Sequence, residues 1–152
     1  MFAIAAEDLA AVLLQVRIAF PREACGLLVG TVIRERVRLS VAATGSERNS
    51  VTSFHIPDAA IASARMALRV GSTLRGVFHS HILGPARPSR RDIAGPKAMG
   101  ELWLIYSVRF RDLALYQWDG ERFDRKRLRT LVSGSGGTGL VRRGSTVGDR
   151  QP

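Results

Sequence analysis

Cysteine is almost absent from this sequence of 152 residues, in which Cys25 is the only one. A single cysteine excludes an intrachain disulfide and any zinc site built from several cysteines, and it fits a reducing compartment. No apolar run approaches the roughly 18 residues of a membrane helix. Glu7 and Asp8 stand where a signal peptide would carry basic residues. We therefore expect a cytoplasmic protein with no membrane span.

Lysine is also scarce, since only Lys97 and Lys126 stand among the 23 basic residues. Against 13 acidic residues these give a net charge of +10, and arginine binds phosphate well. However, aromatic residues make up only 7% and no nucleic-acid motif is present. The arginines are spread along the chain, which is typical of a solvated surface and of a GC-rich genome. Nucleic acid is therefore not the expected partner, whereas an acidic protein suits this charge.

The length predicts one domain with a single core, over residues 1–130, and the Gly- and Ser-rich residues 131–152 are predicted to be a flexible tail. Alternating helices and strands predict an α/β or α+β fold class. The predicted elements are a helix at 7–19, strands at 24–30 and 31–44, an extended piece at 51–56, a helix at 59–70 capped by Asp58, a strand at 74–81, a short helix at 89–99, and strands at 102–108, 113–118 and about 122–128.

Two of the three histidines form the pair His79-Ser80-His81 at the end of a predicted strand. Side chains two residues apart on a strand point to the same face, so both imidazoles can bind one metal ion. Two unrelated surface or half-buried histidines are the alternative. Asp92 follows in the segment PSRRD and can add a carboxylate, which would complete the ligand set of a catalytic zinc site. The same Ser89-x-x-Asp92 spacing also predicts a helix start, and the two roles are compatible.

Hydrolysis at a metal centre also needs a proton acceptor, for which Glu23 is the candidate. It precedes the apolar strand, where a carboxyl group can have a raised pKa. An ordinary surface glutamate is the alternative, and from the residues alone we favour it. Cys25 is interpreted as a small core residue. Other metal motifs fail here, because H-E-x-x-H is absent and one cysteine cannot supply the ligands of a zinc deaminase.

Three separated segments, PREACGLLVG, GVFHSH and PSRRD, resemble the JAMM (MPN-plus, JAB) metalloproteases. The family signature is an upstream glutamate followed by H-x-H-P-x₆-S-x-x-D. The histidines, Ser89 and Asp92 have this spacing, and Glu23 has the matching context. The resemblance covers about residues 5 to 118. It implies an MPN fold, which is a curved mixed sheet flanked by helices and related to the cytidine deaminase fold.

The resemblance also implies a set of roles. His79, His81 and Asp92 would bind one zinc ion, Glu23 would take a proton from water and pass it to the leaving amine, and Ser89 would help to stabilise the oxyanion. The sequence departs from the family at Ile82, where proline is usual, and this change predicts a looser loop before Ser89.

The chain is most similar to small bacterial members of this family, because it lacks room for the insertions with which eukaryotic relatives bind ubiquitin chains. Those bacterial members act on ubiquitin-like sulfur-carrier proteins that end in Gly-Gly. We therefore expect a zinc metallopeptidase or isopeptidase that cleaves after such a Gly-Gly. A non-catalytic MPN-type interaction module is the alternative, although such relatives usually lack one or more ligands. A homodimer remains open.

Overall fold

A computed structural model describes residues 1–44 and 48–132. Within these residues eight strands form one mixed sheet and three helices accompany it, which confirms the α/β fold class. The elements are β1 (Phe2–Ala5), α1 (Ala6–Ala19), β2 (Cys25–Ile33), β3 (Arg36–Thr44), α2 (Asp58–Met66), β4 (Ser72–His81), α3 (Arg90–Ala94), β5 (Leu102–Ser107), β6 (Asp112–Trp118), β7 (Phe123–Lys126) and β8 (Leu128–Leu131).

The sheet places β4 near its centre, in the strand order β7-β6-β5-β4-β2-β3-β1-β8. β4 runs parallel to β5 and antiparallel to β2. Only Arg127 separates β7 from β8 along the chain, yet these strands lie at opposite ends of the strand order. The sheet must therefore curve strongly enough to bring its two ends near each other.

The two faces of the sheet have different tasks. One face forms the hydrophobic core with α1, because Val12 and Val16 of this helix pack against buried residues such as Leu28 and Phe78. Burial of side chains of this size stabilises the fold by about 1.5–3 kcal/mol each. Side chains alternate along a strand, so His79, next to Phe78, lies on the opposite face. This second face carries the candidate site.

Gly76 allows β4 and β5 to approach closely below that site. Its φ is +154°, and a Cβ atom at this position would collide with the backbone carbonyl of Leu102, its partner on β5. Opposite Gly76, the β2–β4 register shifts between Leu28 and Val29. A larger residue here would displace the strand that ends in the histidine pair.

Several predicted elements need correction. β1 was not predicted, because its four residues run directly into α1. The apolar stretch from 24 to 44 turns at Arg34 and Glu35, both with positive φ, so β2 extends to Ile33 and β3 begins at Arg36. The last predicted strand is two strands, β7 and β8, which pair with β6 and β1.

Corrections also apply to the helices and to the extended piece at 51–56. Residues 51–56 join no strand, because Ser50 and Ser53 close a local turn through a backbone hydrogen bond of 2.9 Å. Asp58 is the first residue of α2, and Pro57 holds the cap position without a side-chain hydrogen bond. The helix predicted at 89–99 is shorter, because α3 spans only Arg90–Ala94.

The predicted tail lies almost wholly beyond this description. Leu131 completes β8, and residues 133–152 are outside the described residues. Among the helices of residues 1–44 and 48–132, none combines the length and the apolar character that crossing a membrane requires.

Candidate metal centre and its groove

The two histidines of the predicted pair lie at the end of β4, and their side chains converge. The Nε2 atoms of His79 and His81 are 3.0 Å apart. Asp92, in α3, places one carboxylate oxygen 3.3 Å from Nε2 of His79 and the other 3.2 Å from Nε2 of His81. All three side chains are buried. The structure thus brings together the three side chains that the sequence analysis assigned as ligands.

These three side chains fit a zinc ion. Two ligands about 2.1 Å from one tetrahedral zinc ion are about 3.4 Å apart, and the distances between the three side chains are close to this value. Nδ1 of His81 lies 2.8 Å from the carbonyl oxygen of Pro85. Donation of a proton to this carbonyl leaves Nε2 of His81 available to a metal ion. Two imidazoles and one carboxylate are also the donor set of open, catalytic zinc sites.

The charges of the cluster favour a cation at the same point. Burial alone would raise the pKa of Asp92, but hydrogen bonds with His79 and His81 outweigh it and hold that pKa well below its usual range. Burial lowers the pKa of His79. Burial alone would also lower the pKa of His81. The hydrogen bonds of His81 to Asp92 and to the backbone of Pro85 outweigh burial, and the pKa of His81 is raised. An ionised carboxylate therefore attracts positive charge between the imidazoles, and a metal ion can replace the protons there.

The start of α3 orients Asp92. The hydroxyl oxygen of Ser89 accepts a hydrogen bond from the backbone N–H of Asp92 at 3.2 Å, and the N–H of Ser89 donates to Oδ2 of Asp92 at 2.6 Å. This capping box accounts for the Ser-x-x-Asp spacing. The helix-start interpretation is therefore confirmed, and the ligand interpretation is compatible with it, because the cap aims the carboxylate at the histidines.

Glu23 is buried just before β2, with 5% of its surface exposed. Its N–H donates to the carbonyl oxygen of Ser50 at 2.7 Å, and its own carbonyl accepts from the amide of Asn49 at 2.9 Å. Burial raises the pKa of Glu23 to about 7, with a smaller lowering by His81 and a smaller raising by Asp92. A surface position is thus excluded, and a carboxyl group that titrates near neutral pH suits a proton acceptor.

Ser80 and Asn49 position the site, although neither was assigned such a role from the sequence. The hydroxyl of Ser80 accepts a hydrogen bond from the N–H of Ala24 at 2.8 Å, and its N–H donates to the carbonyl of Ala24 at 2.9 Å. Ser80 therefore attaches β4, the strand that carries the two histidines, to Ala24, which is next to Glu23. Asn49 also donates to Sγ of the buried Cys25 at 3.2 Å. Their partners are distant in sequence, so no local pattern could indicate these roles.

Aromatic side chains enclose His79. Phe54 stacks on its ring with centroids 4.4 Å apart, and Trp103 meets the ring edge-on at 5.5 Å. Nδ1 of His79 is the buried side-chain polar atom that lacks a hydrogen-bond partner in the described part of the chain. The two aromatic residues line a groove of about 480 Å³, and Glu23 and Ser89 line it as well. This volume lies within the usual range of ligand sites.

The loop between β4 and α3 is firmly held, although Ile82 stands where proline was expected. Ile82 itself is 8% exposed. Three consecutive carbonyl groups accept hydrogen bonds from side chains of the protein, at 2.7, 2.8 and 3.1 Å: Gly84 from Ser107, Pro85 from His81 and Ala86 from Tyr116. These three hydrogen bonds restrain the loop without the proline, and the looser loop stays a prediction.

Comparison with known proteins agrees with this geometry. The family described as prokaryotic homologues of the JAB domain matches residues 5–123. A desampylase of Pyrococcus furiosus is 33% identical over 84 residues, which are 55% of this chain and 58% of the relative. The match therefore spans little more than half the length of that protein.

Solved structures share the fold. A protein of Desulfitobacterium hafniense superposes with a TM-score of 0.78 at 24% identity, covering 88% of this chain and 94% of the other. A structure presented as JAMM, a metalloprotease-like zinc site in the proteasome and signalosome, superposes with a TM-score of 0.53 at 16% identity, covering 86% and 98%. Because the family match extends from the end of β1 to the start of β7, this chain belongs to the prokaryotic JAMM/MPN (JAB-domain) family.

Proposed function

We propose that this protein is a zinc-dependent metallopeptidase or isopeptidase. Its substrate is a ubiquitin-like sulfur-carrier protein, and it hydrolyses the amide bond that follows the C-terminal Gly-Gly. The convergence of His79, His81 and Asp92 beside the buried Glu23 carries this proposal. A hydrolase function is also supported by membership of the JAMM/MPN family and by the match to a protein named desampylase.

The chain's own residues supply the proton transfer. His79, His81 and Asp92 would hold one zinc ion, and this ion would supply polarisation of the scissile carbonyl and a lower pKa of water. Glu23 accepts a proton from the attacking water and delivers it to the nitrogen of the leaving amine. The hydroxyl of Ser89 accepts a hydrogen bond from Asp92 within the cap, so its proton remains available to donate to the oxygen of the tetrahedral centre.

The groove supports a narrow, extended substrate segment. Leu27, Val77 and Trp103 line its sheet side, and Phe54 and Ile61 line the opposite side. A Gly-Gly terminus has no side chains to obstruct entry between these walls, and the net charge of +10 suits an acidic carrier. A cytoplasmic location agrees with the single, reduced cysteine. A homodimer remains a prediction.

The proposal is tested by metal analysis together with a cleavage assay. The substrate is a ubiquitin-like protein that ends in Gly-Gly and carries a C-terminal extension. We expect one zinc per chain and release of the extension. Asp92→Ala should lose both, whereas Glu23→Gln should keep zinc and lose turnover by about 100-fold or more. Glu121→Gln, an exposed glutamate, is the matched control for Glu23→Gln.

Two results would contradict the proposal. Purified protein without stoichiometric zinc, together with unchanged behaviour of Asp92→Ala, would remove the metal centre. Stoichiometric zinc without cleavage would favour an interaction module instead. Full activity in Glu23→Gln would exclude Glu23 as the proton acceptor while leaving the metal centre in place.

A further inference from the structure

The groove contains one arginine or lysine among its described lining residues, and this residue is Arg91. Three carboxylates share the lining, those of Glu23, Asp92 and Glu101, and none of them forms a salt bridge with Arg91 in the described part of the chain. Asp92 contacts both histidines, and Glu101 accepts hydrogen bonds from the N–H of Ala98 at 2.8 Å and from the indole of Trp103 at 3.0 Å. Among the described residues the guanidinium group of Arg91 therefore lies in the groove without an ion pair, although the buried Glu23 lines the same groove.

Arg91 is held in place with most of its donors unused. One guanidinium nitrogen donates to the carbonyl oxygen of Thr52 at 3.3 Å, and both residues line the groove. A guanidinium group has five N–H donors in a planar fork. Arg91 is exposed and forms no salt bridge with the residues that the structure describes. The free side of the fork is thus available to an anion from solution.

Arg91 also lies on the leaving-group side of the site. Arg91 and Glu23 line the same groove, and both bond to one short segment, because the N–H of Glu23 donates to the carbonyl oxygen of Ser50 and Arg91 donates to that of Thr52. In the proposed reaction, Glu23 passes a proton to the nitrogen of the leaving amine. An anion bound by Arg91 would therefore be part of the leaving group and not of the carrier.

We propose that Arg91 is a specificity-determining residue that binds the α-carboxylate of a C-terminal amino acid released from the carrier. The inference rests on the proposed function. In the reaction the C–N bond after Gly-Gly breaks and the water oxygen joins the glycine carbonyl carbon. One proton of the water reaches the amine through Glu23, and the other is released when the new glycine carboxyl group ionises. The amino acid leaves with its carboxylate on Arg91.

Geometry favours this leaving group over a lysine side chain. In a C-terminal amino acid, one carbon atom separates the scissile nitrogen from the free carboxylate. In an isopeptide, the nitrogen is at the end of a four-carbon chain, and the carboxyl group of that lysine is part of another polypeptide. Only the first arrangement presents an anion beside the amine, where Arg91 lies.

Two substrates that differ in one group test the inference. Both are ubiquitin-like carriers ending in Gly-Gly followed by one amino acid, which bears a free carboxylate in one and a carboxamide in the other. We expect the zinc-loaded enzyme to prefer the carboxylate by about 10- to 100-fold in kcat/KM. Arg91→Gln should abolish this preference, and Arg91→Lys should retain part of it, because lysine keeps the charge without the fork.

The ratio between the two substrates isolates the role of Arg91, because a change in folding, zinc content or the pKa of Glu23 affects both substrates equally. Arg90→Gln, which alters an adjacent exposed arginine outside the groove lining, should keep the full preference. If the wild-type enzyme cleaves both substrates equally, or if the preference survives in Arg91→Gln, the inference is overturned while the proposed function stands. Failure to cleave either substrate, or any longer extension, would overturn the proposed function itself.

Discussion

At the scale of a single residue, Glu23 shows how a buried carboxyl group in a candidate site can lower the stability of the folded protein. The carboxyl group is buried before β2, and burial raises its pKa from 4.5 to about 7. Between these two pH values the folded protein keeps a proton that the unfolded chain has released. The folded state therefore binds more protons in this window, and its stability falls as the pH rises through it.

Replacing Glu23 by glutamine should remove this penalty. In zinc-free protein, we expect the free energy of unfolding of Glu23→Gln to exceed that of the wild type increasingly between pH 4.5 and pH 7. The gain should reach about 1–2 kcal/mol above pH 7, after allowance for solvent at the groove. Urea unfolding at pH 4.5 and at pH 8 measures the difference. An equal gap at both pH values would show that burial does not penalise the charged form.

The convergence of the three proposed metal ligands could be predicted from sequence because their geometry is local. An H-x-H on a strand places two imidazoles on one face, and Ser-x-x-Asp at a helix start aims a carboxylate. Neither rule could indicate Asn49, whose side-chain amide donates to the backbone carbonyl of Glu23, 26 positions away in the sequence. The burial of Glu23 was likewise not apparent, since a glutamate at a strand entry is usually exposed.

At the scale of elements, α3 shows how a helix of five residues can be held in place behind Asp92, the proposed third metal ligand. Lys97 follows its end, and its ammonium group donates to the carbonyl oxygens of Asp92, Ile93 and Gly95. The same group lies 4.4 Å from the ring centroid of Trp118 in β6. Lys97 thus satisfies the last carbonyls of the helix and attaches it to the sheet.

We expect Lys97→Met to weaken zinc binding by about 10-fold, because the variant keeps the apolar stem but loses the three donors that fix the helix behind Asp92. Competition with a chromophoric chelator measures the affinity, and thermal unfolding of the zinc-free protein monitors the fold. The chain's other lysine provides the control, Lys126→Met in β7. Unchanged zinc affinity in Lys97→Met would mean that the capping box alone positions Asp92.

Elements whose apolar residues follow a regular local pattern could be predicted from the sequence. Strands that are defined by pairing with a segment far away in the sequence could not. The apolar stripe of α1 and the hydrophobic run of β4 have local signals. By contrast, β8 is recognisable only by its pairing with β1. The two strands run parallel, and Leu128 of β8 lies opposite Phe2 of β1. The sequence from Arg122 to Leu128 contains no sign that the chain leaves one end of the sheet and joins the other.

At the scale of the whole molecule, the net charge of +10 becomes relevant to encounter with a partner. Three arginines near the site, Arg87, Arg90 and Arg91, are exposed, and only Arg91 lines the groove. A positive surface around a groove raises the rate at which an acidic protein arrives, and salt screens this attraction over about 10 Å at 0.1 M. The arginines need not contact the scissile bond to affect kcat/KM.

This steering predicts a difference between whole-carrier and peptide substrates. When NaCl is raised from about 20 mM to about 300 mM, kcat/KM for an acidic carrier should fall by about 10-fold, because the rate of encounter falls. A short neutral peptide with the same C-terminal residues should change little. The double variant Arg87→Gln/Arg90→Gln should flatten the salt dependence for the carrier without changing kcat.

Arg127→Gln/Arg129→Gln, which alters two exposed arginines outside the groove, is the matched control. If both double variants flattened the response equally, the net charge alone would steer the carrier. If neither did, the arginines beside the groove would have no part in its capture.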